Sequence, residues 1–143
     1  MSITEAETRF AEAVELGLRG EYDAALEVYR ALADEWPVPS AIGEGSLHYR
    51  VGQYDAALGC FDRALLDEPE NSAARGLRAL CLARVGRAAE ALTFTEGLLD
   101  EDDSLGMAHL ARANALLSLE RHGEVRVRKP PTAKVRPAGV RGG

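Results

Sequence analysis

Gly20-Glu21-Tyr22-Asp23-Ala24-Ala25-Leu26 recurs 32 residues later as Gly52-Gln53-Tyr54-Asp55-Ala56-Ala57-Leu58. A weaker third copy, Gly86-Arg87-Ala88-Ala89-Glu90-Ala91-Leu92, follows 34 residues further on. The register extends in both directions. Seven residues before each Gly stand Ala13, Gly45 and Ala79. Nine after it stand Tyr29, Phe61 and Thr95, and twelve after it Leu32, Ala64 and Leu98. Seventeen after it come Pro37, Pro69 and Asp103. A chain that repeats itself at this period folds as a stack of like units, because one unit cannot cover its own apolar face.

The units are helical. Alanine and leucine dominate the first 120 residues; both are strong helix formers. No stretch alternates apolar and polar residues with the β-branched enrichment of a strand. Ser2 with Glu5 three later is a capping box that starts the first helix. Helices are expected over 3–18, 22–35, 41–51, 54–67, 72–85, 88–101 and 104–121, paired antiparallel across short turns. Each repeated residue type has a physical task. The Gly permits a sharp turn at positive φ between two helices. The small residues before it and the alanines after it let helix axes approach closely. The aromatic two after it wedges the pair, and the residue nine after it fills the gap to the next unit. The Pro ends the second helix and begins the link onward.

This pattern resembles the tetratricopeptide repeat, a helix-pair unit of about 34 residues. The resemblance covers residues 6–102 in three units, and Ala113-Asn114-Ala115-Leu116-Leu117-Ser118-Leu119 begins a fourth in which Glu120 replaces the turn glycine. Where the family has Trp and Leu in its first helix, this chain has Arg9 and Glu12, Ala41 and Glu44, and Arg75 and Arg78. The third unit also lacks both aromatics and the terminal proline. The resemblance implies an all-α fold of antiparallel helix-pair repeats stacked as a short right-handed α-solenoid over residues 1–121. Its units would run over about 6–39, 40–71 and 72–104, with a partial unit at 105–121.

The resemblance further implies that the first helix of each unit lines a concave groove that binds a partner. The groove positions are Phe10, Val14 and Leu18; Ile42, Ser46, Tyr49 and Arg50; Leu77, Leu80 and Arg84; and Met107, Leu110, Asn114 and Leu117. Relatives that hold the acidic C-termini of heat-shock chaperones use Lys, Asn and Arg in these rows. The matching places here carry Phe10, Val14, Gly43, Ala73 and Leu77. An apolar extended segment or an amphipathic helix suits such a surface better.

Charge divides the chain near residue 121. The whole carries a formal net charge of -6. Residues 121–143 hold seven Lys/Arg and one acid, Glu124, together with three prolines. The segment 122–143 is therefore expected to be a disordered basic tail, with too little apolar surface to offset the entropy of ordering. A change of reading frame would produce the same break. The tail has no aromatic residue to stack on bases, and the acidic body repels phosphate, so nucleic-acid association is disfavoured.

The remaining residue types exclude much chemistry. Two cysteines, Cys60 and Cys81, rule out a disulfide scaffold and a four-thiolate zinc site. No apolar stretch approaches the ~20 residues of a membrane helix, and MSITEAETRF is not a secretory signal. The expected compartment is the cytoplasm, with both thiols reduced. Asp100-Glu101-Asp102-Asp103 lacks the glycine of a calcium loop, with Leu105 at its sixth place. It reads as a turn whose acids favour the start of a helix capped by Ser104. His48, His109 and His122 show no metal-ligand spacing, and His48 reads as a packed imidazole. No catalytic residue, cofactor or metal site is expected. The expected function is a non-enzymatic scaffold that binds a peptide or amphipathic helix of another protein. Self-assembly as a homodimer through 104–121 is the second expectation, because Leu105, Met107, Leu110, Leu116, Leu117 and Leu119 project in more than one direction.

Overall fold

A computed structural model describes residues 2–121 and 123. Seven α-helices account for nearly all of them: α1 (Ile3–Leu18), α2 (Tyr22–Ala31), α3 (Pro37–Arg50), α4 (Tyr54–Asp67), α5 (Ser72–Arg84), α6 (Ala88–Glu101) and α7 (Gly106–Arg121). The protein is all-α among the described residues, with the helices stacked as pairs. α1 packs on α2, α3 on α4 and α5 on α6, while α3 also lies against α1 and α5, and α7 against α5 and α6.

The turn glycines carry the geometry the repeat demands. Gly20, Gly52 and Gly86 have φ of 83, 84 and 86°. At the first, the Glu21 N–H donates to the Leu16 carbonyl at 2.9 Å and the Gly20 N–H to Gly17 at 3.1 Å. This double bond pattern closes a helix with a left-handed residue and satisfies its last carbonyls. Gln53 repeats the long bond to His48 at 2.8 Å, and Arg87 to Leu82 at 3.0 Å. At the N-terminus the capping box of Ser2 and Glu5 is closed in both directions.

Equivalent positions of the three units occupy equivalent places in the core. Ala25, Ala57 and Ala91 have no exposed surface. Ala13, Gly45 and Ala79, seven residues before the turn glycines, are all buried. The residue nine after the turn glycine, Tyr29, Phe61 or Thr95, is buried in each unit. Thr95 is polar, and its hydroxyl is satisfied by donating to the Leu92 carbonyl at 3.0 Å. The aromatics two after the glycine, Tyr22 and Tyr54, are only half-buried.

Two local expectations are corrected. α2 ends at Ala31 rather than near 35, and α3 begins at Pro37 rather than near 41. The reason lies in Trp36-Pro37. A residue before proline is driven out of the helical region, and Trp36 sits at φ −131°, ψ 68°. Pro37 then occupies the first turn of α3, where a missing N–H costs nothing. The proline therefore opens the next helix instead of only ending the last one. At the other junction Ser104 does not cap α7, which starts at Gly106. Asp102 accepts from both the Ser104 N–H at 3.0 Å and its hydroxyl at 2.6 Å, a local turn that draws the serine away from the helix end. The Ser104 hydroxyl and then its N–H hold the Asp102 carboxyl below the usual carboxylate range. Of the expected basic tail, only Gly123 is described, so that expectation lies outside the described residues.

Candidate functional site

The packing of α1 against α3 leaves a cleft of about 420 Å³. Five of the expected groove positions line it: Phe10 and Val14 from α1, and Ile42, Ser46 and Arg50 from α3. Two glycines shape it. A Cβ on Gly43 would run into the Tyr29 ring, and one on Gly17 would lie 2.8 Å from Leu47 Cδ2. Tyr29 of α2 lines the cleft while staying buried, and its ring fits there only because Gly43 has no side chain. Phe10 meets Tyr29 edge-on at 5.6 Å between ring centres and lies 5.9 Å from Trp36. Phe10 and Tyr29 give the cleft a stiff apolar wall.

Its polar groups are few. Arg50 Nη1 donates to the Gly17 carbonyl at 3.2 Å, which ties the end of α3 to α1. The Ser46 hydroxyl donates to Ile42 at 2.8 Å within its own helix. Burial pushes the Tyr29 phenol up, and the nearby Arg50 charge opposes that shift. Val38 and Pro39 join the lining from the first turn of α3, and Glu68 and Asn71 from the α4–α5 junction. Sequence reading missed these because it placed 37–40 in a link and gave Tyr29 only a gap-filling role. The position of Gly43 one turn beyond Pro39 was the available signal.

The other expected groove positions lie elsewhere. Leu18, 70% exposed, is not part of the lining. Tyr49 stacks edge-on against Tyr54 at 5.2 Å, and the Arg84 guanidinium lies 6.0 and 5.8 Å from their ring centres. Leu77 is half-buried against core residues of α4–α7. Leu80, only 5% exposed, packs with Ala79 and Ala111 and belongs to the core rather than to a surface. Met107, Leu110 and Leu117 form an exposed apolar stripe on α7, with Asn114 half-buried in the same row. Met107 backs directly onto Gly76 of α5, where a Cβ would lie 2.8 Å from its own.

The histidine reading needs correction. His48 is half-buried, but it does have ligand-type neighbours: Glu44 one turn earlier on α3 and Cys60 on α4. A carboxylate oxygen, an imidazole nitrogen and a thiol sulfur of this trio all lie within 4.8 Å of one another. The Glu44–His48 spacing of four was visible in the sequence; Cys60 was not, because the α3–α4 hairpin brings it in. Burial pushes the Cys60 thiol up, Glu44 adds to this, and Arg63 and Arg30 oppose it. The Cys81 thiol is pushed up to about 12, by burial first and then by Cys60 and Asp62. Neither thiol has the exposed setting of a reactive cysteine.

Residues 42–105 match the family model described as tetratricopeptide repeat. The chain is 35% identical over 100 residues to the TPR repeat-containing thioredoxin TTL4 of Arabidopsis thaliana. That match covers 70% of this chain and 14% of the plant protein, so the chain spans about a seventh of that relative. Among solved structures, the first TPR of Spaghetti (RPAP3), bound to the HSP90 peptide SRMEEVD, superposes with a TM-score of 0.72 at 16% identity. The alignment covers 84% of this chain and 97% of that one. The type III secretion translocator chaperone SycD of Yersinia enterocolitica, in an alternative dimer, gives 0.69 at 21% identity, over 87% and 98% of the two chains.

Proposed function

We propose, on the premise that this chain belongs to the tetratricopeptide repeat family, that it is a non-catalytic interaction module. The occupant we assign to the α1–α3 cleft is an apolar segment of another protein, held extended or as a short amphipathic helix. The observation that carries this reading is the cleft itself. Phe10, Val14, Tyr29 and Ile42 supply apolar walls, while Arg50 is the one cation among its described lining residues. A cleft of that composition rewards buried aliphatic or aromatic side chains. The peptide held by the first structural neighbour has two adjacent glutamates and an aspartate at its end. One arginine, already bonded to Gly17, is poor provision for such a partner. The two thiols sit on different helices with no Cys-x-x-Cys spacing, so the redox activity named for the plant relative is not assigned to this chain. No described helix is long and apolar enough to cross a membrane.

Selection of a random displayed-peptide library on the full chain tests this reading. Peptides with paired apolar anchors are expected, and Val14→Asp with Ile42→Asp should weaken their binding by at least a hundredfold. Recovery of acid-rich C-termini, or affinity unchanged by the double substitution, would reject it.

A second reading rests on the exposed stripe of Met107, Leu110 and Leu117. α7 is a first helix without a described partner following it, and stacked arrays need a polar face at each end. Self-association through this stripe is the reading for that surface.

A further inference from the structure

We propose that Glu44, His48 and Cys60 form a binding site for one borderline-soft divalent transition metal ion, with zinc as the natural occupant.

The donor atoms are close to the required spacing. In a tetrahedral zinc site with bonds of ~2.0–2.3 Å, neighbouring ligand atoms are roughly 3.3–3.8 Å apart. Glu44 Oε2 and His48 Nε2 are 3.8 Å apart, and the thiol sulfur closes a triangle with no side longer than 4.8 Å. The longest side exceeds that spacing by about 1 Å, so the three side chains must draw together to share one ion. Two ligands four apart on a helix and one on its antiparallel partner resist spreading, since both helices are fixed by the core on their other faces.

The surroundings orient these donors. His48 Nδ1 lies 2.9 Å from Gln53 Oε1. With the proton on Nδ1, the imidazole donates to the amide oxygen and directs its Nε2 lone pair at Glu44. This is the outer-shell bond that fixes the tautomer of metal-binding histidines. A nitrogen lone pair and a thiol then lie beside a carboxylate that Arg30 and Arg63 already neutralise in part, so an ion competes with these two cations for Glu44. Glu44 is also held by Arg63 through Oε1 at 3.2 Å and by Arg30 through Oε2 at 3.3 Å. Both arginines are more than half exposed, but Glu44 is only 12% exposed, so water screens their repulsion of an ion in part. Arg30 donates to Oε2 through both Nε and Nη2 at 3.3 Å, so an ion on Oε2 displaces Arg30 while Arg63 keeps Oε1.

The donor set selects the metal. A thiolate and an imidazole favour zinc, cobalt, nickel and copper over magnesium and calcium. Three protein ligands leave a fourth position. Glu44 lines a cleft of about 290 Å³ between α3 and α4, shared with Ser40 and Asp67. The Ser40 hydroxyl, one turn before Glu44 on α3, is buried without a hydrogen-bond partner. On binding, the Cys60 thiol proton passes to solvent and the sulfur–metal bond forms, with no change of oxidation state.

Titration of the untagged, reduced full chain with Co²⁺ tests the site. One equivalent should produce visible d–d absorption and a near-ultraviolet thiolate-to-cobalt band, both removed by Zn²⁺. Cys81→Ser should keep the band, and Cys60→Ser should lose it. Gln53→Leu should weaken binding about tenfold with helicity unchanged. Absence of the band from the folded parent in excess Co²⁺, or a band that survives Cys60→Ser, would overturn the proposal.

Discussion

Phe61→Ala is expected to lower the free energy of unfolding by about 3–5 kcal/mol. The ring has no exposed surface and sits in the cluster that joins α4 to α5, α6 and α7. It lies over Gly45, where a Cβ would come within 2.7 Å of ring carbon Cε1. With no side chain at 45 to fall into the gap, the core cannot collapse around the deletion, and the cavity persists. Urea unfolding followed by circular dichroism measures this. Tyr54→Ala should cost less than Phe61→Ala, because Tyr54 is only half-buried. A Phe61→Ala protein within 1 kcal/mol of the parent would mean that the second unit is not the structural centre of the stack.

Ala57→Leu should cost on the order of 1–3 kcal/mol by overpacking. Ala57 is fully buried five residues after the turn glycine, the place equivalent to Ala25 and Ala91. Its exposed neighbour supplies the control. Ala56→Leu keeps a strong helix former on the solvent side of α4 and should leave stability within ~0.5 kcal/mol. Equal melting of the two variants would contradict the register in which 57 faces the core and 56 faces water.

The fold was legible because three near-copies of one pattern fix spacing and facing together. Gly20, Gly52 and Gly86 marked the turns, and the residues five and nine after them marked the core. Helix ends were less legible where local side chains compete with the helix. The Trp36-Pro37 step moved the start of α3, and Asp102 drew Ser104 into a turn. The groove was legible only in part. Distance from a turn glycine says which helix a residue is on and roughly which way it points. It does not say whether the gap between two helices is open. The α1–α3 gap is open at Gly43, with Tyr29 behind it. Between α3 and α5, by contrast, the equivalent rows are taken up by Tyr49, Leu77 and Leu80. The cluster of Glu44, His48 and Cys60 was hidden for a related reason, since one of its members arrives across a hairpin.

The most direct measurement is an amide-shift map of the full chain with and without a library-selected apolar peptide, recorded as proton–nitrogen correlation spectra. The account predicts that shifts concentrate at Phe10, Val14, Ile42, Gly43, Ser46 and Arg50, with little change along α6. Shifts confined to α7, with those six residues unmoved, would contradict it.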